Sequence, residues 1–283
     1  FCPELVAVSL CKVPVLLLCF LMHLDDPEAA VARDVTQIAP FTVDRADDDA
    51  DDQTDNDGGG GVEAAGGEIE LNNVKIEQKG MYTAPYNSMA ISVNGGGVAT
   101  VNSGTYSTVC LTAEEANNQG TSHGPWCVGV LNSGGTLVIN GGTFSNDNYG
   151  DNALATYARG LLLADTAANI QIEGGIFNAV KAIIDMTNNL GDASRNPSAT
   201  ISGGDFSADP QVSGLYASHL IKIAAGYEAV EENGRWIVRK PEALAKFEAD
   251  IAKGGNVTLT KDITLVESVV IEAGKEVVLD LNG

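Results

Sequence analysis

The sequence predicts an all-β chain wound as a parallel β-helix, and three observations predict it. First, two apolar residues at i and i+2, a turn of small residues and then an aromatic recur four times. The copies are Ala99-Thr-Val101-Asn-Ser-Gly-Thr-Tyr106, Leu137-Val-Ile139-Asn-Gly-Gly-Thr-Phe144, Ile170-Gln-Ile172-Glu-Gly-Gly-Ile-Phe177 and Ala199-Thr-Ile201-Ser-Gly-Gly-Asp-Phe206. Their aromatics are separated by 38, 33 and 29 residues. Units of that length are too thin to bury an apolar face alone, so neighbouring units must supply the core. Second, Asn94, Asn132 and Asp165 each stand seven residues before Val101, Ile139 and Ile172, directly after Val93, Leu131 and Ala164. Each unit therefore holds two short strands divided by a turn of residues that tolerate positive φ or bond their own backbone. Third, aromatics make up only 6% of the chain while glycines number 32, which suits thin strands and tight corners.

Leucine-rich repeats would need a Leu-x-x-Leu-x-Leu run, and propeller blades need four strands and about 40 residues or more. A parallel β-helix fits: each turn lays strands on the previous turn, and inward residues stack in files. The expected inner files hold Val101, Ile139, Ile172 and Ile201, with Tyr106, Phe144, Phe177 and Phe206 beside them. Asp185, after Ala182-Ile-Ile184, reads as the fourth member of a corner ladder with Asn94, Asn132 and Asp165. It is displaced by a polar insertion from Thr187 to Ser198.

In chain order, residues 1–40 read as a leader. Val13 to Met22 is an apolar run preceded by Lys12 and followed by Ala30-Val-Ala32; it is too short to span a bilayer, which takes about 20 residues. It has the shape of a signal-peptide core and cleavage site, so export is expected. Residues 41–61 read as an acidic and glycine-rich disordered linker, unable to bury apolar area. Asp52-Gln-Thr-Asp55-Asn-Asp57-Gly58 lacks the ligand spacing of a calcium loop. The β-helix is assigned to 62–226. Residues 227–240 read as a closing hairpin, because Asn233-Gly234 lies between alternating apolar runs. Pro241 opens a helix over 241–253 with Leu244, Phe247 and Ile251 on one face and Gly254-Gly255 at its end. Val257-Thr-Leu259, Ile263-Thr-Leu265, Val269 to Ile271 and Val277 to Leu281 then read as strands of a second, truncated β-helix capped by that helix. Phe1 and Gly283, the latter inside a repeat, read as the ends of a fragment.

The Ile-x-Gly-Gly-x-Phe-Ser units, the phrase Ala225-Gly-Tyr227-Glu-Ala-Val-Glu-Glu-Asn-Gly-Arg-Trp236-Ile-Val and the segment Ala273-Gly-Lys-Glu-Val-Val-Leu-Asp-Leu-Asn-Gly carry a resemblance. They resemble the right-handed β-helix repeats of bacterial cell-surface proteins, grouped with the pectate-lyase-like superfamily. The resemblance covers about residues 62 to 283 and implies a secreted or surface location. It also implies an enzyme alternative, since lyases of this fold hold calcium between carboxylates and use Arg or Lys as base, while hydrolases use clustered Asp. Asp165, Asp185 and Arg159 would carry that chemistry; the competing expectation is that the corner residues are a structural ladder.

Composition sets the partners. A net charge of −22 repels nucleic acid and anionic membranes. No membrane insertion of the mature domain is expected. His-Glu-x-x-His, Cys-x-x-Cys and phosphate-loop motifs are absent from the sequence, and His123 reads as an incidental loop residue. The expectation is a non-catalytic, adhesin-like scaffold, monomeric within a longer multi-module chain, meeting carbohydrate or a host surface. Trp126, Tyr149 and Tyr157 are the candidate sugar-stacking residues. No cofactor or metal is expected, calcium being the one cation the carboxylates could hold. Cys110 and Cys127 bracket a polar loop; they read either as a disulfide closing it or as two independent small core residues.

Overall fold

The structure is a computed structural model that describes residues 42–45, 60–80, 89–110, 126–131, 134–147, 160–187, 192–215 and 217–282. The leader, most of the acidic stretch, Asn132, Tyr149, Tyr157, Arg159 and His123 lie outside the described residues.

Strand β1 (Thr42–Arg45) precedes five similar passes of the chain. The first holds β2 (Gly60–Ala65), β3 (Glu68–Leu71) and β4 (Val74–Gly80); the second β5 (Met89–Asn94), β6 (Val98–Val101) and β7 (Gly104–Cys110). The third holds β8 (Val128–Val130), β9 (Gly135–Ile139) and β10 (Thr143–Asp147); the fourth β11 (Leu162–Ala164), β12 (Ala168–Ile172) and β13 (Ile176–Asn178). The fifth holds β14 (Ile184–Met186), β15 (Ser198–Ile201) and β16 (Gly204–Phe206), and β17 (Ile221–Ile223) begins a partial sixth. Each pass adds one strand to each of three parallel sheets, ordered β14-β11-β8-β5-β2, β17-β15-β12-β9-β6-β3 and β1-β4-β7-β10-β13-β16. This arrangement is compatible with a β-helix. The expected disordered linker over 41–61 is corrected at both ends: Thr42–Arg45 pairs with Lys75 to Gln78, and Gly60–Ala65 pairs with β5. These two strands hold only Asp44 and Glu63 as acidic residues; the Asp-rich run between them lies outside the described residues.

Register explains the recurring phrase. Leu71, Val101, Ile139, Ile172 and Ile201 lie opposite one another in successive strands, and each is fully buried. In the third sheet Tyr106, Phe144, Phe177 and Phe206 align in the same way. Their rings stack with centroids 5.0, 5.1 and 4.8 Å apart and interplanar angles of 16°, 6° and 12°. That spacing is the strand repeat of about 4.7–4.9 Å, so ring stacking follows from strand pairing. The glycine two residues before each ring serves it. Gly104, Gly142, Gly175 and Gly204 all have φ between +104° and +130°, a region that L side chains rarely adopt. At Gly204 a Cβ would also come within 2.7 Å of the Phe206 ring.

The sequence phrase missed one rung. Ile69-Glu-Leu71-Asn-Asn-Val-Lys-Ile76 has the same spacing, and Ile76 pairs with Tyr106. The aromatic is an isoleucine here, Val74 stands opposite Gly104, and the positive φ of the turn falls one residue earlier, on Asn73 at 56°.

The third sheet ends in an antiparallel hairpin, β18 (Glu228–Glu232) and β19 (Arg235–Arg239), turned by Asn233 and Gly234 at φ 54° and 76°. Strand β19 lays Trp236 opposite Phe206. Arg235 fixes it by bonding the Asp205 carboxylate and, at 3.2 Å, Asn178 Oδ1. Helix α1 (Glu242–Lys253) buries Leu244, Phe247 and Ile251, and Gly254 ends it at φ 84°. Phe247, Ile251 and Val257 form a small separate core with Leu259, Ile263, Val269 and Val277 around it. Of the four strands expected beyond the helix, only β20 (Gly255–Thr258) and β21 (Val277–Asp280) form, paired in parallel. Residues 263–265 and 269–271 are not strands, because neither has a neighbouring rung to bond its backbone.

Candidate functional site

The outer face of the first sheet carries an unusual group. In β14, Ile184 and Met186 point into the core, which turns Asp185 outward, opposite Leu163. Asp185 is nevertheless 0% exposed. Its Oδ2 accepts hydrogen bonds from Trp126 Nε1 and from the Gly160 amide, each 2.7 Å. Two glycines make the space: a Cβ on Gly160 would lie 2.7 Å from the Asp185 amide nitrogen, and one on Gly214 would lie 2.1 Å from Oδ1. Nearby, Ser213 Oγ accepts from the Met186 and Leu215 amides. Asn146 Oδ1 accepts from the Val180 amide. Met89, Trp126 and Leu163, with Leu131 and Leu215, form an apolar layer over this face.

This geometry corrects several expectations. Trp126 is 7% exposed, its ring packed in the outer layer and its N–H spent on Asp185, so it offers no open platform to a sugar. Asp165 and Asp185 do not share a corner file. Ala164 pairs with Met186, which sets Asp165 level with Thr187, and Thr187 Oγ1 donates to Asp165 Oδ1 at 3.1 Å. The two aspartates thus differ by two positions along the strand direction, one at a corner and one on the sheet face. The third member of the catalytic alternative, Arg159, lies outside the described residues, as do Tyr149 and Tyr157.

The expected ladder also moves. Asn94 bonds the Glu63 carboxylate of the preceding pass, but Asp185 does not continue that file, and Asn132 lies outside the described residues. A ladder stands at the next corner. Asn140 Nδ2 donates to Asn102 Oδ1 at 2.7 Å, and Asn102 Nδ2 donates to Asn72 Oδ1 at 3.0 Å and to Glu70 Oε1 at 2.7 Å. The signal was in the sequence: Asn72, Asn102 and Asn140 each directly follow the inner residue of their rung, Leu71, Val101 and Ile139. Ser213, Gly160 and Gly214 carried no comparable signal, because only the fold brings them to Asp185.

Cys127 is a free thiol, fully buried among the core residues, which fits the core-residue alternative of the two readings for this cysteine. Burial pushes its pKa up to about 12, against hydrogen bonds from the Ser145 backbone and Thr108 that pull it down. A thiol held neutral in this way is a weak nucleophile. The Cys110 side chain lies outside the described residues. Burial likewise raises the Tyr106 phenol well above its usual range, and its hydroxyl donates to the Ser103 carbonyl at 2.9 Å.

The outer face of the second sheet is different in kind. Glu70, Thr100, Val138, Gln171, Thr200 and Lys222 form one outward column, rung by rung, half-buried to exposed throughout. Turns of two or three residues leave this sheet for the third. The connections 81–88, 111–127 and 148–161 join the third sheet to the first, while 187–197 enters the second sheet from the first and 207–220 enters it from the third. Among the described residues no three His, Cys, Asp or Glu side chains converge as a metal site, and no helix is long and apolar enough to cross a membrane. No protein-family model matches the chain, and no curated protein or solved structure matches it.

Proposed function

We propose that the chain is a non-catalytic, exported scaffold of the right-handed parallel β-helix type, similar to pectate-lyase-like surface repeat proteins. In this reading it meets an extended carbohydrate or host-surface polymer on the outer face of its second sheet. The observation that carries the reading is the outward column from Glu70 to Lys222, one side chain per rung at the strand spacing of about 4.8 Å. A column polar at five of its six positions, Val138 being the exception, suits a periodic ligand, because weak contacts repeated at one spacing add as avidity. The enzyme reading is weaker on the same geometry, since Asp185 is enclosed and bonded by Trp126 and Gly160.

A glycan array run beside reducing-sugar and unsaturated-uronate assays tests this. The expected result is binding that weakens when Thr100 and Gln171 are changed to Ala, with no sugar released. Sugar release that Asp185→Asn abolishes overturns the proposal in favour of a lyase or hydrolase. Absence of binding leaves a spacer and overturns the glycan part. Export is tested separately by fusing residues 1–40 to a secretion reporter.

A further inference from the structure

Charge is distributed unevenly over the outer face of the second sheet. The column from Glu70 to Lys222 has a companion two residues earlier on the strands, Glu68, Val98, Thr136, Asn169 and Ser198, half-buried to exposed as well. The two columns carry charge only at their ends, Glu68 and Glu70 on the first rung and Lys222 on the sixth. The four strands between, β6, β9, β12 and β15, hold no charged residue at all, in a chain whose net charge is −22. Glu70 is turned to the corner, where its Oε1 accepts from Asn102 Nδ2 at 2.7 Å, and Glu173 follows β12 outside both columns.

The polar groups of these four rungs are also uncommitted. The side chains of Thr100, Thr136, Gln171 and Thr200 bond no group among the described residues, and Ser198 Oγ donates to Asn169 Oδ1 at 3.3 Å. By contrast, the corner asparagines bond one another, and on the third sheet Arg235 takes Asp205 and Asn178 while Ser207 Oγ bonds the Ala179 backbone. Neither column holds an aromatic, methionine or arginine side chain, the types in which protein–protein interfaces are enriched. A protein partner would find no anchor here.

We propose that the polymer taken by this face is a neutral, unbranched polysaccharide lying across the strands, held through its hydroxyl groups rather than by ring stacking. The inference rests on the reading of this sheet as a carbohydrate face and names the class of carbohydrate. A sugar hydroxyl both donates and accepts, as do Thr, Ser, Asn and Gln side chains, so such rungs satisfy it without any charge. A uronate or sulfate chain would surrender water from its charges to four rungs that return no cation, within the field of an acidic protein. With rungs about 4.8 Å apart the uncharged stretch is roughly 14 Å long, and shorter oligomers engage only part of it.

The test titrates the full chain by calorimetry, at low and high salt, with cello-, xylo- and manno-oligosaccharides of graded length and with oligogalacturonates. Expected is binding of at least one neutral series, tightening with length up to a span of roughly 14 Å and unchanged by salt because no charge is paired; the oligogalacturonates do not bind. Asn169→Ala and Thr136→Ala each weaken it roughly three- to tenfold, the loss of about one hydrogen bond, in chains shown by thermal unfolding to be folded. Thr143→Ala, on the third sheet, leaves it as it was. Oligogalacturonate binding that Asn169→Ala weakens overturns the neutral class while the carbohydrate face stands. Neutral binding that both variants retain, or that falls with salt, overturns the assignment to these rungs. No binding of any series by a folded chain overturns this inference together with the glycan reading beneath it.

Discussion

The ring file gives the sharpest test of the stacked architecture. Phe177 is fully buried and lies between two rings, at 5.1 Å from Phe144 and 4.8 Å from Phe206. Truncating it to Ala costs about 3–5 kcal/mol, the usual range for a buried phenylalanine. Within that, each stacked pair accounts for about 0.5–1.5 kcal/mol beyond area burial, so the two pairs together contribute about 1–3 kcal/mol. A double-mutant cycle isolates the pair. Phe144→Leu and Phe177→Leu keep apolar volume and remove the stack between adjacent rungs, so their coupling is about 1 kcal/mol. Tyr106→Leu and Phe206→Leu remove rings three rungs apart, roughly 14 Å at the strand spacing, and their effects add to within about 0.5 kcal/mol. Urea unfolding midpoints of the four singles and two doubles measure both numbers. Equal coupling in the two cycles, or none between adjacent rungs, would refute the single file of rings and with it the register on which the stack rests.

Other outcomes follow from the same geometry. Asp185→Ala strips the acceptor from Trp126 Nε1 and the Gly160 amide and costs about 1–3 kcal/mol for each buried donor; Asp185→Asn keeps an oxygen there and costs less, a difference read by thermal unfolding and tryptophan emission. Gly203→Ala costs about 1–3 kcal/mol because its Cβ would lie 2.1 Å from the Glu173 carbonyl, whereas Gly67→Ala, with nothing within 4 Å, stays within about 0.5 kcal/mol of wild type in the same melt. Cys127 gives an alkaline signature: its pKa is about 12 folded against 9.0 for an ordinary thiol, so above pH 9 the unfolded chain loses a proton that the folded chain keeps. Its stability contribution is therefore complete below about pH 9 and falls as pH rises toward 12, by up to about 1.4 kcal/mol per pH unit. Cys127→Ala flattens that part of the urea midpoint against pH; an unchanged slope overturns the assignment.

The rungs were legible in the sequence because every inward position answers to one constraint, burial between neighbours of the same type. That is why Val101, Ile139, Ile172 and Ile201 recur at a fixed distance from Tyr106 and the three phenylalanines, and why the Gly-Gly turn recurs with them. The Leu71 and Ile76 rung obeys the same spacing and escaped notice only because the phrase was defined by its aromatic. The site was less legible. Asp185 looked like a corner residue by counting back from the repeats, yet register moves it two positions onto the sheet face and beneath Trp126.

By itself the sequence determined the repeat and the inward files, both of which depend on spacing within a few residues. Only tertiary structure decided which outward residues are covered. Trp126, Gly160, Asp185 and Gly214 come from four separate segments, and their meeting depends on how the passes lie over one another.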